Sequence, residues 1–414
     1  MIIDDLRSEN RGGRARISAS VTWEDCERPS YELYFETDEA HSDGFFSNPH
    51  SFLIGCAIPA FHFGEKRVLI REEICPELLE GMDSVFRIFR RWYYAPDKKL
   101  LKIECKSMPA RTESVPGRHA GFFFSGGVDS FATLCANRLH FPKDHPRSIK
   151  DGFVVFGLEQ DNPDLFQHVL NSLNKFGGED DFSIVPVYTN VYLVFRQEDS
   201  LDHFKFWEYQ FGGAALASVA HAFSHRLDTV SIGSTWHMLK PWGSHPLIDH
   251  NFSSHDLRII HDGIALTRQD KIKLIAGWDM ALQNLRVCNK FQQYQEDMFN
   301  CGSCEKCLRT MLGLLAIGAL KKSGAFPVKD VTPDMVLKNS KKMGTSEHLG
   351  PIYNEIVPEL VKIGRNDLAS AIQTALNSND MNTLKSKLVE FDRRYLGSRM
   401  VQLKKKVLKG MRTE

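Results

Sequence analysis

A chain of 414 residues with 42% hydrophobic and 11% aromatic content can bury a large core in two or three domains, which excludes a disordered polypeptide. Its 52 basic residues balance its 52 acidic ones, so no global field attracts it to nucleic acid or to an anionic membrane. The opening MIIDDLRSENRGGR lacks the apolar centre of a signal peptide, and the most apolar runs, Ser51 to Phe61 and Met311 to Leu320, are shorter than a bilayer; a cytoplasmic protein with no membrane partner is expected.

Residues 1–116 read as an N-terminal α+β domain. Alternation in RISASVTW, YELYFET, RVLI and LLKIEC predicts strands, and PELLEGMDSVFRIFRRWYY has helical spacing. No chemical motif lies there, and PARTESVPGRHA, with two prolines, reads as the closing linker. From Ala120 the pattern alternates. AGFFFS, GFVVFGLE, FSIVPVYTNV and TVSIGS read as strands, while Val128 to Leu139, DNPDLFQHVLNSLNKF and EYQFGGAALASVAHAFSH read as helices. Near-continuous apolar strands joined by such helices predict an α/β, doubly wound parallel sheet over residues 117–320. Beyond Leu320, PDMVLKNSKKM, GPIYNEIVPELVKI, DLASAIQTALN and TLKSKLVEFDRRYL each carry an amphipathic face and predict a helical C-terminal extension over 321–414.

The turn after the first strand of the core reads Ser125-Gly126-Gly127-Val128-Asp129-Ser130. A glycine pair lets backbone N–H groups close on an anion, and the helix that follows adds its positive end, so phosphate is the natural guest. Ser125 and Ser130 can donate hydroxyl hydrogen bonds, and Asp129 can hold Mg²⁺. Neither GxxxxGK[ST] nor, at this turn, GxGxxG is present. The stretch resembles the pyrophosphate loop of the PP-loop ATP pyrophosphatase superfamily. That resemblance implies a core of the same type, ATP bound through Ser125, Gly126, Gly127, Val128, Asp129 and Ser130, and Asp129 and Ser130 as the catalytic pair.

Nine cysteines divide unequally. Cys26, Cys56, Cys75, Cys105 and Cys135 have no ligand spacing and read as small buried hydrophobes of a reduced protein. Cys288, followed by Cys301-Gly-Ser-Cys304-Glu-Lys-Cys307, can close a tetrahedral Zn²⁺ site; a redox CxxC pair would leave two cysteines idle. This arrangement is similar to the zinc site of 7-cyano-7-deazaguanine synthases, and the likeness extends to GGAALASVAHAFSHRLDTVSIGS and ALTRQDKIKLIAG, covering residues 118 to 320. SHPLID stands where that family has its Tyr-Pro-Asp-Cys-Arg loop, which makes Asp249, with His245 beside it, the expected substrate contact. The chain departs from the family in reading SGGVDS for SGGQDS, in a longer spacer after Cys288, and in Phe211-Gly212-Gly213 where an Arg-Asn pair is usual. The resemblance implies an extended, divergent ligase, of the kind found in anti-phage operons, that adenylates a deazapurine-like carboxylate for attack by ammonia or a protein amine.

Other features stay open at this level. Glu159 either faces the nucleotide or is an exposed loop carboxylate. His237, His245, His250, His255 and His261 crowd one segment without a common metal-ligand spacing. The tail from Asp392 carries eight basic and two acidic residues and is either a solvated amphipathic helix or a grip on RNA or an acidic partner. Residues 1–116 can recognise a partner protein, cover the active site or form a homodimer. Two further functional readings are a PP-loop thiolation enzyme, which needs a reactive cysteine outside the zinc set, and a nucleotide-binding interaction module without turnover.

Overall fold

Three segments at the start of the chain, β1 (Ile2–Arg11), β2 (Arg14–Thr22) and β3 (Tyr31–Asp38), ladder into an antiparallel meander. The computed structural model describes residues 1–108, 117–158, 162–177, 182–196, 206–235, 240–288, 298–345 and 349–377. The chain forms two compact units, Met1–Phe89 with Lys99–Ala265, and Arg90–Lys98 with Leu266–Glu414.

The first unit is built on one sheet. After the meander come α1 (Pro49–Phe63), β4 (Arg67–Ile74), α2 (Pro76–Tyr93) and β5 (Lys102–Ser107). β6 (His119–Phe123), α3 (Val128–His140), β7 (Ile149–Phe156), α4 (Pro163–Gly177), β8 (Ser183–Thr189), α5 (Leu193–Arg196), α6 (Gly212–His221), β9 (Leu227–Gly233) and β10 (Arg258–Asp262) follow. The ten strands run in the order β10-β9-β6-β7-β8-β3-β2-β1-β4-β5. Pairing is antiparallel at β8–β3, β3–β2 and β2–β1 and parallel elsewhere, so the molecule is a mixed α/β protein with a large, mostly parallel sheet.

Two consequences position the site. In the parallel block β10-β9-β6-β7-β8 the chain leaves β6 toward β7 and β8, then returns past β6 to β9. The winding therefore reverses between β6 and β9, and in open α/β sheets ligands bind beyond the carboxyl ends of the strands at such a reversal. The sheet also runs across the boundary read at 116, because β3 pairs with β8 at Phe35↔Thr189, Glu36↔Tyr188 and Thr37↔Val187. Side chains reinforce that junction: Thr37 Oγ1 donates to the Pro186 carbonyl at 2.8 Å and Thr189 Oγ1 to the Tyr34 carbonyl at 2.7 Å. Without β3, the edge of β8 away from β7 would be left unpaired.

The second unit is helical. It holds α7 (Arg268–Ala276), α8 (Asp279–Asn284), α9 (Glu305–Ala316), α10 (Pro333–Lys338), α11 (Ser340–Thr345), α12 (Leu349–Lys362) and α13 (Asn366–Asn377). Thr267 and Asp270 form a capping box that starts α7. α9 packs on α7 and α12, and α13 on α10, α11 and α12. Residues 266–320 thus join the C-terminal helices, where the sequence places them with the sheet; α9 buries nearly all its residues, and α7 and α12 supply part of the cover. PDMVLKNSKKM divides into α10 and α11, while TLKSKLVEFDRRYL and the basic tail lie outside the described residues. Among the described residues no helix is long and apolar enough to cross a membrane.

Candidate active site and metal centre

The Ser125–Ser130 turn leaves β6 at the reversal of winding. Phe124 is buried and its N–H continues the ladder to the Phe153 carbonyl at 2.9 Å, so the turn begins abruptly at Ser125. Gly126 has φ +72°, a left-handed conformation that a side chain would strain. Gly127 is the N-cap of α3, extended at φ −82° and ψ 170°, and no side chain caps the helix. The N–H groups of a helix's first turn point toward its start and suit an anion, which the helix dipole also favours. Two hydroxyls brace the turn. Gly127 N–H donates to Ser125 Oγ at 3.3 Å, Ser130 Oγ to the Gly127 carbonyl at 3.1 Å, and the two hydroxyl oxygens lie 3.4 Å apart. Ser125 is exposed, Asp129 half-buried in the first turn, and Ser130 5% exposed. Val128 is fully buried beside Phe131, so its side chain anchors the helix and only its backbone can meet a ligand. At the end of β9, a Cβ on Gly233 would stand 3.3 Å from the carbonyl group of Asp129, which shows how closely α3 starts against that strand.

The residues read as the substrate contact have other partners. Asp249 is 0% exposed. Its Oδ2 accepts from Ser244 Oγ at 2.7 Å and meets His261 Nδ1 at 2.8 Å, and its Oδ1 accepts the His245 N–H at 3.2 Å. His245 is buried, and its Nδ1 accepts the Leu247 N–H at 3.1 Å within the same loop. The imidazole paired with Asp249 is therefore that of His261, on β10. Of the other histidines, His250 bonds the Pro246 carbonyl, His255 pairs with Asp256, and His237 lies outside the described residues, as does Glu159.

The loop that carries Asp249 is clamped to the start of α6. Gly213 N–H donates to the Gly243 carbonyl at 2.9 Å, and Gly243 N–H to the Glu208 carbonyl at 2.8 Å in a π-helical turn, Trp207–Phe211, that leads into the helix. A Cβ on Gly213 would stand 2.4 Å from Asp249 Oδ1 and 2.6 Å from the Gly243 oxygen. The space that a side chain at Gly213 would need is thus occupied by the Asp249 carboxylate. Lys240, in the same segment and unremarked in the sequence, is buried with its ammonium 4.0 Å from the Trp242 ring centroid. Its only linear signal is the proximity of a lysine and a tryptophan, and that pattern is common.

In the helical unit Cys288, Cys301, Cys304 and Cys307 bring their sulfurs within 4.8 Å of one another. Cys288 and Cys304 stand 3.8 Å apart and Cys301 and Cys307 3.9 Å, close to the edge of about 3.8 Å that a tetrahedron with Zn–S bonds of about 2.3 Å requires. Gly302, at φ +66°, turns the knuckle, Cys304 caps α9, and Cys307 sits in its first turn. Cys301 Sγ accepts from Ser303 Oγ at 3.4 Å and Cys304 N–H at 3.3 Å; burial opposes ionisation of this thiol, but these bonds outweigh it and hold its pKa below the ordinary range. Cys307 is pushed far up by its hydrogen bonds with Cys288 and Cys304, with burial adding to them. Four thiolates this close need a cation, and the donor set fits zinc.

Asn300 holds the two halves of the centre together. Its Oδ1 accepts the Val287 and Cys288 N–H groups at 2.8 and 3.1 Å, and its Nδ2 donates to the Leu285 and Ala325 carbonyls at 2.6 and 2.8 Å. Sequence reading missed it, since an asparagine before a cysteine has no spacing signature.

Comparison of the chain with protein-family models, curated proteins and solved structures finds no match.

Proposed function

We propose that this protein is an ATP-dependent adenylating ligase, a divergent relative of the 7-cyano-7-deazaguanine synthases within the PP-loop superfamily. The observation that carries the reading is the setting of Ser125–Ser130: a glycine-pair turn with an uncapped helix start, at the strand end where the winding of a parallel block reverses. On this reading the N–H groups of the turn and the Ser125 and Ser130 hydroxyls receive the β- and γ-phosphates of ATP, and Asp129 holds the Mg²⁺ that offsets their charge. A carboxylate oxygen of the substrate attacks the α-phosphorus, pyrophosphate leaves, and the acyl adenylate then passes its acyl group to ammonia or a protein amine while AMP leaves. The chain's contribution is chiefly orientation and charge neutralisation. The cysteine tetrad holds Zn²⁺ as a structural centre with no open ligand position. Cys135, on α3, lies about two turns from the start of that helix, roughly 10 Å along its axis, so it is not the cysteine at the turn that a thiolation enzyme needs.

The test uses the full chain with ATP, Mg²⁺ and a 7-deazaguanine carboxylate labelled with ¹⁸O. Cleavage between the α- and β-phosphates must give AMP and pyrophosphate, with one label passing into AMP. ADP and phosphate as products would overturn the reading.

A further inference from the structure

We infer that His261 is the base that takes the proton from the attacking amine, and that Asp249 is the residue that positions it. This deepens the ligase reading and rests on it.

The argument begins with Asp249. Fully buried, it accepts from Ser244 Oγ and the His245 N–H and lies against the N-terminal glycines of α6, where the helix dipole favours a negative charge. An ionised carboxylate so placed is an acceptor only. Nδ1 of His261 must therefore be the donor in their 2.8 Å contact, and a neutral imidazole then carries its lone pair on Nε2. That atom is the unexplained one. The His261 side chain is 5% exposed, and Nε2 is buried with no hydrogen-bond partner among the described residues. A basic nitrogen without a partner inside a protein is costly, and its persistence points to a use.

Its place fits that use. His261 stands in register with Ile232 on β9, one residue before Asp262, which pairs with Gly233. Gly233 turns toward the start of α3, so by alternation along the paired strands His261, on the neighbouring β10, lies on the opposite face of the sheet. Phosphate turn and imidazole thus flank the end of β9 from opposite faces. In the step assigned to it, the amine nitrogen forms a bond to the acyl carbon, the bond from that carbon to the adenylate oxygen breaks, and AMP leaves with the electron pair. The proton released by nitrogen goes to Nε2, and the Asp249 carboxylate stabilises the resulting imidazolium.

The nucleophile supplies the test. Ammonia and alkylamines are largely protonated at neutral pH and need a base, whereas hydroxylamine does not. With ATP, Mg²⁺ and a 7-deazaguanine carboxylate as probe, H261Q should lose amide formation from ammonia by about 100-fold or more while still giving hydroxamate with hydroxylamine at a rate near that of the unaltered protein. D249N, which keeps the volume but frees the ring to turn, should show the same split. Equal amide formation by H261Q overturns the inference, and so does parallel loss of amide and hydroxamate in both variants, which would mark damage to the site and not loss of a base. If the unaltered protein forms no AMP from this probe, it is the ligase reading that has failed, and the inference falls with it.

Discussion

A methyl group at position 213 would stand within 2.6 Å of both the Asp249 carboxylate and the Gly243 carbonyl, two groups the fold cannot spare. Gly213→Ala should therefore push the clamped loop off α6 and destabilise the sheet unit by about 1–3 kcal/mol, read as a lower urea midpoint. Asp129→Ala should behave in the opposite way. Its carboxylate is half-buried at a helix start and contributes little to the core, so the melting temperature should hold while pyrophosphate release falls by about 100-fold or more; retained release would remove Asp129 from the proposed mechanism. His221 carries a pH dependence. Burial lowers its pKa from 6.5 to about 4, and its Nε2 bonds the Phe252 carbonyl at 2.7 Å. The unfolded chain takes up this proton below pH 6.5 and the folded chain does not, so stability is full above that value and declines as pH falls toward 4, by about 3 kcal/mol in all. In H221Q that part of the acid slope should disappear from urea titrations between pH 7 and 4. All these residues are visible in the sequence, but what each touches depends on partners far along the chain.

The cysteine knuckle is the element that spacing alone described well, because three ligands within seven residues leave few geometries open. Its fourth ligand is joined to it by an asparagine with no such signature. Asn300→Ala would strand two buried N–H groups and two carbonyls, so the helical unit should lose about 3 kcal/mol and bind zinc at least about 10-fold more weakly, measured by chelator competition. Unchanged zinc affinity would show that the knuckle sets its own geometry. α1 shows the reverse limit. It is buried from His50 to Phe61 on every side, so it has no polar face and no helical period, and its sequence reads only as an apolar run between the Pro49 start and the Gly64 stop.

At the scale of the molecule, the shared sheet makes a further claim. If residues 117–377 are produced without the preceding strands, β8 loses its pairing with β3 and exposes a ladder edge; that fragment should aggregate or elute as an oligomer in size-exclusion chromatography. A monomeric, cooperatively folding fragment would show instead that the first strands are dispensable. The sequence by itself determined the alternation of strands and helices, the glycine turn at a strand end and the four cysteines, because periodicity, turn chemistry and ligand spacing are local properties of the chain. Only the tertiary structure decided that the first strands extend the same sheet, that residues 266–320 join the C-terminal helices, and that the imidazole facing the Asp249 carboxylate is that of His261, while His245 meets it through its backbone N–H. Those outcomes follow from pairing and burial between segments distant in the chain, where the free energy of each contact depends on neighbours that no local pattern records.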